Sequence, residues 1–241
     1  MIDFLLVIPA RYQSKRLPGK PLLDIDGLPM IIRTFNQCNR AVHKSKIIVA
    51  TDDQRIQKLC EKEDIKTIMT SKKCLTGTDR IAEVSKKIKK DFYINVQGDE
   101  PICNPNDIRK IIKYAKKFPK TIINGFTEIK DKRSFYSPNI PKIVFGNDGN
   151  LLYMSRAPIP SNKSNKFIKA WKQVCIYSFP YDTLKAYASV KKKTPLEAIE
   201  DLESNRFIEL GYKIKMLKMS NVSIAVDTKE DLFRVRKLVK K

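Results

Sequence analysis

The chain has 241 residues, enough to bury one sizeable hydrophobic core, and its 42% hydrophobic content with only 8 glycines and 13 prolines excludes a disordered, collagen-like or low-complexity protein. Lysine and arginine (48) outnumber aspartate and glutamate (26), so the formal net charge is +22. Such an excess is typical of proteins that bind nucleic acid, an anionic membrane surface or a polyanionic substrate, and the position of the charges must separate these classes.

Short apolar segments alternate with helical patterns through the first half of the chain, as is typical of strand-helix-strand units. The first of these segments, residues 4–8, is a continuous apolar run and predicts a buried strand. Further strands are predicted at 46–51, 66–69 and 92–96. Helices are predicted at 29–39, after a cap at Asp52 or Asp53, at 78–89, and at 106–117, where Pro105 begins the helix. The alternation predicts an α/β fold with a mainly parallel central sheet.

The second half changes character, because predicted strands follow one another without helices between them. Asn147-Asp148-Gly149-Asn150 has the composition of a hairpin turn, so the strands beside it, at 142–145 and 151–154, are expected to pair antiparallel. We therefore expect a single domain over residues 1–241 with a small antiparallel arm around 130–180. The other predicted elements are strands at 121–127, 174–179 and 213–216, one continuous helix over 196–210 that Gly211 ends, and a last helix from Lys229.

Most of the excess positive charge comes from short lysine runs, which fall mostly on polar helix faces or near the chain ends, as in Lys86-Lys87 and Lys240-Lys241. No zinc-finger spacing, ribonucleoprotein sheet motif or aromatic-interleaved basic stripe accompanies them. A solvated lysine-rich surface is therefore favoured over a nucleic-acid site, and no nucleic-acid partner is expected.

Cysteine and histidine usage excludes several chemistries. The five cysteines include no C-x-x-C pair, so neither a disulfide framework nor a zinc site is indicated. His43 is the only histidine, which disfavours a hydrolase built on a Ser-His or Cys-His pair. The N-terminal apolar run is too short to span a bilayer and lacks the pattern of a signal peptide, so we expect a cytoplasmic protein without membrane insertion.

The segment from Pro9 to Pro21 follows the first predicted strand directly and carries four cations, Arg11, Lys15, Arg16 and Lys20. In a parallel sheet this position lies at the carboxyl edge, where ligands bind. The segment matches neither a Walker A loop nor a G-x-G-x-x-G fingerprint. Judged from its charge alone, a phosphate cradle and a solvated basic loop are nearly equal alternatives.

A second motif, Asn95-Val96-Gln97-Gly98-Asp99-Glu100-Pro101, places acids at the tip of a predicted central strand. Asp99 is a candidate ligand of Mg²⁺, and Gly98 would allow a ligand to approach closely. A helix cap or a turn acid is the structural alternative. Because one carboxylate alone is a weak magnesium site, Asp227 is considered as its partner, although Asp227 by itself is more simply the cap of the last helix.

Two further motifs are less specific. Leu75-Thr76-Gly77-Thr78-Asp79 enters a predicted helix and could hold a base or a phosphate on free backbone N–H groups, but an ordinary helix N-terminus has the same pattern. Arg156 follows a predicted strand and suits the carboxylate of a sugar acid through bidentate pairing, although a structural ion pair is the commoner role.

Seven segments, in this order and spacing, resemble the 3-deoxy-manno-octulosonate cytidylyltransferase (CMP-Kdo synthetase) family over nearly the whole chain. They are IPARYQSKRLPGKPLLDIDGLPMI, VATDD, LTGTDRIAEV, INVQGDEP, SPNIPKIVFGNDGNLLYMSRAPIP, TPLEAIEDLE and VDTKEDLFRVR. The resemblance implies a Rossmann-like nucleotidyltransferase sheet, CTP as donor, Mg²⁺ as cofactor, and a homodimer formed partly through the antiparallel arm. The implied reaction transfers CMP to the anomeric hydroxyl of a 3-deoxy-ulosonic acid, with Kdo as the first candidate. It releases pyrophosphate and supplies activated sugar for lipopolysaccharide or a surface glycan.

The resemblance also implies roles for individual residues. The implied catalytic residues are Arg11, Lys20, Asp99 and Asp227, of which the two aspartates are the metal ligands. The implied nucleotide contacts are Ala10, Arg11, Lys15, Lys20, Thr76, Gly77 and Thr78. The implied acceptor contacts are Gln97, Arg156, Gln173, Tyr177 and Glu203.

Two positions depart from the family's pattern, and both lie on the acceptor side. The family's usual histidine in the strand before Tyr177 is Gln173 here, and the glutamine that usually follows the acid at Glu203 is Ser204. Two alternatives therefore stay open: a cytidylyltransferase for another acidic sugar, such as a nonulosonate or a modified Kdo, and a non-catalytic polyanion-binding protein.

Overall fold

A computed structural model describes residues 2–14 and 16–240, so the nucleotide contact predicted at Lys15 lies outside the described residues. The strands are β1 (Phe4–Ala10), β2 (Asp24–Ile25), β3 (Leu28–Pro29), β4 (Ile47–Thr51), β5 (Thr67–Met69), β6 (Phe92–Val96), β7 (Ile122–Glu128), β8 (Lys142–Phe145), β9 (Leu151–Ser155), β10 (Trp171–Pro180) and β11 (Ile214–Lys218). The helices are α1 (Met30–Ala41), α2 (Gln54–Lys62), α3 (Gly77–Lys87), α4 (Pro105–Lys117), α5 (Lys132–Tyr136), α6 (Tyr181–Ser189), α7 (Pro195–Glu200), α8 (Ser204–Glu209) and α9 (Lys229–Val239). Two short 3-10 turns lie at Lys20–Leu22 and Lys44–Lys46.

The central sheet has the strand order β11-β7-β10-β6-β1-β4-β5. Neighbouring strands are parallel across β6-β1-β4-β5 and between β7 and β11, whereas β10 runs antiparallel to both β6 and β7. The predicted α/β class with a mainly parallel sheet is confirmed. Because β1 and β6 are parallel neighbours, the segments that follow them emerge side by side at one edge of the sheet.

Strands β8 and β9 form an antiparallel hairpin that joins the sheet through β10. The N–H of Gly149 closes the turn by donating to the carbonyl of Gly146 at 2.8 Å. Gly149 has a φ of 72°, in the left-handed region that favours glycine. The antiparallel pairing predicted from this turn is confirmed.

Two apolar layers cover the sheet. Side chains alternate across β1, so that Leu6 packs with residues of α1, α2 and α4, and Val7 packs with residues of α3 and α6 on the opposite face. A third cluster contains Leu17, Met30 and Val235. This third cluster attaches α9 to the segments around α1, and it brings the C-terminal part of the chain beside the residues that follow β1.

The prediction of one continuous helix over 196–210 is wrong, because the structure divides it into α7 and α8. Asp201, between them, has a φ of 50°, which is incompatible with an α-helix. The break allows Arg206 of α8 to form a bidentate pair with Glu197 of α7, at 2.5 and 2.7 Å. Both side chains are fully buried, and a buried charge needs such a partner. Local helical spacing contains no information about this pairing.

Helices α5 and α6 are absent from the sequence-based prediction. They are short, with 5 and 9 residues, and α5 begins where the Asp131 carboxylate accepts from the N–H of Ser134 at 2.8 Å. Across residues 2–14 and 16–240, no helix is both long enough and apolar enough to cross a membrane.

Candidate active site

A cleft of about 1740 Å³ opens at the carboxyl edge of β1 and β6. The segments that follow these two strands line it, together with the turn that begins α3 and the residues just before α9. Part of β10 and the connection between α7 and α8 complete its wall. The motifs selected from the sequence therefore share one cavity, and the parallel topology predicts this for the two segments that follow β1 and β6.

Asp99 and Asp227 meet in this cleft around the side chain of Lys20. The Nζ atom of Lys20 lies 2.5 Å from Asp99 Oδ2 and 3.1 Å from Asp227 Oδ1. A backbone hydrogen bond of 2.9 Å, from the N–H of Val226 to the carbonyl of Asp99, joins the two acidic segments. Burial alone would lower the pKa of Lys20, but the charges of the two aspartates outweigh it and raise the pKa above its usual value. Lys20 is therefore an ammonium ion held between two carboxylates.

The start of α9 fixes the backbone of Asp227. Thr228 is the N-cap of this helix and forms a capping box with Asp231. The Asp231 carboxylate also accepts from the N–H of Asp227, at 3.1 Å. Asp227 is thus not the helix cap that its position in the sequence suggests, and its carboxylate points to Lys20 instead.

Gly98 brings the segment of Asp99 against the end of β1. A Cβ atom at Gly98 would lie 2.8 Å from the carbonyl oxygen of Pro9, closer than such atoms approach in real structures. The carbonyl of Gly98 accepts from the hydroxyl of Thr34 at 3.1 Å. The sequence predicts close approach of a ligand at Gly98, and the structure shows close approach of the neighbouring backbone there.

Lys20, Asp99 and Asp227 together form the charged centre of the cleft. Only one of the two adjacent acids after β6 faces this charged centre. Glu100 is buried and accepts a hydrogen bond from the hydroxyl of Ser223. Burial raises the pKa of Glu100 to about 7. Asp99 alone therefore supplies a carboxylate from this motif to Lys20.

The paired carboxylates fit a magnesium site by their donor chemistry. Asp99 and Asp227 each place an oxygen within 3.1 Å of one shared cation, the Lys20 ammonium. Mg²⁺ is commonly bound through one or two carboxylates, with water and substrate phosphate in the other positions. In the part of the chain that the structure describes, no group of three or more His, Cys, Asp or Glu side chains forms a fuller metal cage. The remaining coordination positions would thus belong to water and ligand.

The segment after β1 brings further cations to this centre. Gly19 has a φ of 69°, and its N–H closes the segment by donating to the carbonyl of Tyr12 at 3.1 Å. Arg16 pairs with Asp227, at 3.2 Å. Arg11 is exposed and lines the cleft. Arg11, Arg16 and Lys20 of this segment therefore all line the cleft, as Ala10 does.

Thr76 and Gly77 of the turn Thr76-Gly77-Thr78 also line the cleft, where Gly77 lies against the side chain of Pro9. A Cβ at Gly77 would lie 2.9 Å from the Nε2 atom of Gln97, so a larger residue here would displace the Gln97 side chain. The Glu203 carboxylate accepts from the N–H of Thr78 and from Gln97 Nε2, each at 3.0 Å. Burial raises the pKa of Glu203. The Glu203 carboxylate thus connects Thr78, which is predicted to bind the nucleotide, with Gln97, which is predicted to bind the acceptor.

Gln173 and Tyr177 of β10 lie together, and the Gln173 amide donates to the Tyr177 hydroxyl. The predicted acceptor contact Arg156 is hydrogen-bonded to the backbone. Its guanidinium donates to the backbone carbonyls of Glu200 at 2.6 Å and Pro138 at 2.9 Å. Arg156 lines the cleft while fastening two chain segments, and bidentate binding of a sugar carboxylate would have to replace these bonds.

A buried network behind the α3 turn was missed by sequence reasoning. Arg206, besides its pairing with Glu197, donates to Asp79 Oδ1 at 3.0 Å, and its guanidinium lies 3.8 Å from the centre of the Tyr187 ring. Asp79 is the capping-box partner of Thr76. The network therefore connects the turn to α7 and α8. A buried arginine in a short helix has no local sequence signal that could have revealed it.

Three comparisons with known proteins give similar results. Residues 5–215 match a family model described as cytidylyltransferase. The chain is 35% identical to the 3-deoxy-manno-octulosonate cytidylyltransferase of Escherichia coli, over 99% of this chain and 97% of that protein. It is 38% identical to the mitochondrial 3-deoxy-manno-octulosonate cytidylyltransferase of Arabidopsis thaliana, over 97% of this chain and 82% of that protein. A solved structure of CMP:2-keto-3-deoxy-manno-octonic acid synthetase complexed with CTP superposes with a TM-score of 0.88 at 35% identity, over 99% of this chain and 98% of that one.

Proposed function

Because the chain belongs to the 3-deoxy-manno-octulosonate cytidylyltransferase family, we propose that its cleft transfers CMP from CTP to the anomeric hydroxyl of 3-deoxy-manno-octulosonate (Kdo) and releases pyrophosphate. The observation that carries the proposal is the meeting of Lys20, Asp99 and Asp227 at one point of a cleft. A triphosphate needs this combination of fixed cations and metal-binding carboxylates.

The cationic segment after β1 is the site for the triphosphate. A nucleophile that approaches the α-phosphorus is repelled by the negative charge of the phosphates, so that charge must be neutralised first. Arg11 lines the cleft and Lys20 lies at its charged centre, which supports their assignment to the phosphates. The oxygen of the acceptor hydroxyl forms the new bond to the α-phosphorus and its proton passes to solvent. The bond from the α-phosphorus to the bridging oxygen of the β-phosphate breaks, and pyrophosphate leaves toward these two cations.

Asp99 and Asp227 would hold Mg²⁺. When bound, the ion supplies charge neutralisation and orientation of the triphosphate. The Lys20 ammonium holds the two carboxylates close together, and bound Mg²⁺ would take its place between them and leave the ammonium to the phosphates. Their shared contact with one cation is the support for this assignment.

The Thr76-Gly77-Thr78 turn, with the backbone around Ala10, is assigned to the cytosine ribonucleotide. Both line or border the cleft, and they adjoin each other, because a Cβ at Gly77 would lie 3.3 Å from the side chain of Pro9. Gln97 and Glu203 connect this turn to the acceptor side through hydrogen bonds. We assign Gln97, Gln173, Tyr177 and Glu203 to the acceptor, and their position next to the charged centre would bring the sugar hydroxyl near the α-phosphorus.

Pyrophosphate release tests the proposal. The purified chain is supplied with Mg²⁺, one of the four ribonucleoside triphosphates and one acidic sugar from a panel of Kdo, a modified Kdo and a nonulosonate. We expect release with CTP and Kdo, and we expect none after the metal is removed with a chelator. The other acidic sugars are included because Gln173 and Ser204 stand at the acceptor side. Binding of CTP without pyrophosphate release for any acceptor would support a non-catalytic protein instead.

A further inference from the structure

The antiparallel pairing of β10 with β7 is interrupted by a bulge beside the cleft. Val174 pairs with Gly125, but the next pair is Tyr177 with Asn124, so β10 advances three residues while β7 advances one. Cys175, within the bulge, lines the cleft. The bulge thus changes the register at which the side chains of β10 face the cleft.

The side chain of Asn124 holds this bulge in place. It is fully buried, and its Nδ2 atom donates to the carbonyls of Val174, at 3.0 Å, and Ile176, at 3.1 Å. The carbonyl between them, that of Cys175, accepts from the N–H of Gln97 at 3.4 Å, just after β6. Asn124 therefore satisfies two carbonyls where the ladder between β7 and β10 is interrupted, as buried polar groups require.

These two bonds also fix the direction in which the Asn124 amide faces. A carbonyl only accepts hydrogen bonds, so the nitrogen of Asn124 must face Val174 and Ile176, and its oxygen must face away from them. That oxygen accepts from Nε2 of Gln173 at 3.3 Å. Gln173 is thereby required to turn its NH₂ group to Asn124.

The orientation of Gln173 decides what it offers to a ligand. Its Nε2 atom also donates to the Tyr177 hydroxyl, so both amide hydrogens are used inside the protein. Its Oε1 atom has no hydrogen-bond donor among residues 2–14 and 16–240, and the side chain is partly exposed in the wall of the cleft. Burial raises the pKa of Tyr177 well above its ordinary value, so this partner keeps its proton. Gln173 therefore leaves an acceptor oxygen, and no donor, for a ligand.

We propose that Asn124 is a positioning residue that sets the specificity of the acceptor site: through Gln173 it makes this part of the cleft a hydrogen-bond acceptor, suited to a sugar hydroxyl and unsuited to a carboxylate. The inference rests on the proposed function. A hydroxyl can donate to the oxygen of Gln173, whereas a carboxylate can only accept and is repelled by it. The carboxylate of the acidic sugar is then bound elsewhere in the cleft.

A double-mutant cycle on the full chain tests this role. Wild type, Asn124→Ala, Gln173→Ala and the double variant are compared by KM for Kdo, KM for CTP and kcat, all from pyrophosphate release, and by Tm. Asn124→Ala is expected to raise KM for Kdo about tenfold, as loss of one well-placed hydrogen bond does, and to leave KM for CTP within about twofold. In the Gln173→Ala background the same change should raise KM for Kdo by less than about twofold, because the group that Asn124 positions is already absent.

Asn205→Ala is the matched control. It also removes a buried amide that donates to a backbone carbonyl, that of Met154 at 3.1 Å, but it has no hydrogen bond to Gln173. We expect a comparable loss in Tm and no change in KM for Kdo. If Asn124→Ala does not fold, Asn124→Thr replaces it in the cycle, since threonine favours strands and is too short to reach the Gln173 amide.

Three results would overturn the inference. The first is an unchanged KM for Kdo in the Asn124 variant, and the second is a rise in KM for CTP as large as that for Kdo. The third is a KM for Kdo in the double variant that rises by the product of the factors measured for the two single variants. Failure of the proposed function is recognised separately. In that case the wild type releases no pyrophosphate from CTP and Kdo, and the inference falls with it.

Discussion

Removal of the Arg206 guanidinium should destabilise the fold strongly. Arg206 and Glu197 are fully buried, two hydrogen bonds of 2.5 and 2.7 Å join them, and a third bond of 3.0 Å connects Arg206 to Asp79. Arg206→Met leaves the buried Glu197 carboxylate without its counter-charge, a change that costs about 3–5 kcal/mol. Since each kcal/mol lowers the Tm of a domain of this size by about 2–4 °C, the variant should unfold about 6–20 °C below the wild type.

A second substitution shows whether the unpaired charge is the cause. In Arg206→Met/Glu197→Gln the buried carboxylate is replaced by a neutral amide, so much of the lost stability should return. Thermal and urea unfolding of the wild type, both single variants and the double variant, at one pH and salt concentration, measure the effect. KM for CTP should also rise in Arg206→Met, because Asp79 begins α3 beside the turn assigned to the nucleotide. An Arg206→Met variant that unfolds within about 2 °C of the wild type would refute this reasoning. Losses of stability in the two single variants that simply add in the double variant would also refute it.

Three other predictions concern the charged centre, its backbone and the hairpin. Lys20→Ala should weaken CTP binding about tenfold or more, as loss of a charged contact does, and calorimetry that finds unchanged affinity would reject its phosphate role. Gly98→Ala should cost about 1–3 kcal/mol in urea unfolding, because the added Cβ meets the Pro9 carbonyl; a cost below about 0.5 kcal/mol would contradict that contact. Burial lowers the pKa of Lys142 to about 8, so the folded chain releases this proton more easily than the unfolded chain. Between pH 8 and 10.5 the free energy of unfolding of the wild type should therefore rise relative to that of Lys142→Met. A difference between the two proteins that stays constant over this pH range would contradict the prediction.

The location of the site could be predicted from the sequence because it follows from topology. The apolar run at residues 4–8 marks β1, and the run at 92–96 marks β6. Parallel neighbours end at the same edge, so the cations after β1 and the acid Asp99 after β6 had to lie close together. Asp227 was a candidate partner of Asp99 because one carboxylate is a weak magnesium site, and the family resemblance implied it as a metal ligand; nothing in local spacing connects the two positions.

Features that depend on contacts between distant buried residues could not be predicted. The break between α7 and α8 allows Arg206 and Glu197 to pair, and helical periodicity over 196–210 is the same with or without it. Asn124 sits in an apolar strand, where its sequence context gives no sign that it braces a bulge in β10. The Arg156 guanidinium binds the carbonyls of Glu200 and Pro138, which only the folded chain brings near it.

Asp99→Asn tests most directly whether the paired carboxylates act on the triphosphate. The substitution keeps the shape of the side chain and removes the charge that faces Lys20, and loss of one such electrostatic group typically lowers kcat by about 10²–10³. Asp64→Asn is the matched control, because Asp64 is exposed and pairs only with Lys44 at the surface among the described side chains. With saturating CTP, Kdo and Mg²⁺, we expect pyrophosphate release to fall about 10²–10³-fold in Asp99→Asn, with Tm retained, and to stay at the wild-type rate in Asp64→Asn. A folded Asp99→Asn protein that releases pyrophosphate as fast as the wild type would contradict the role of this centre.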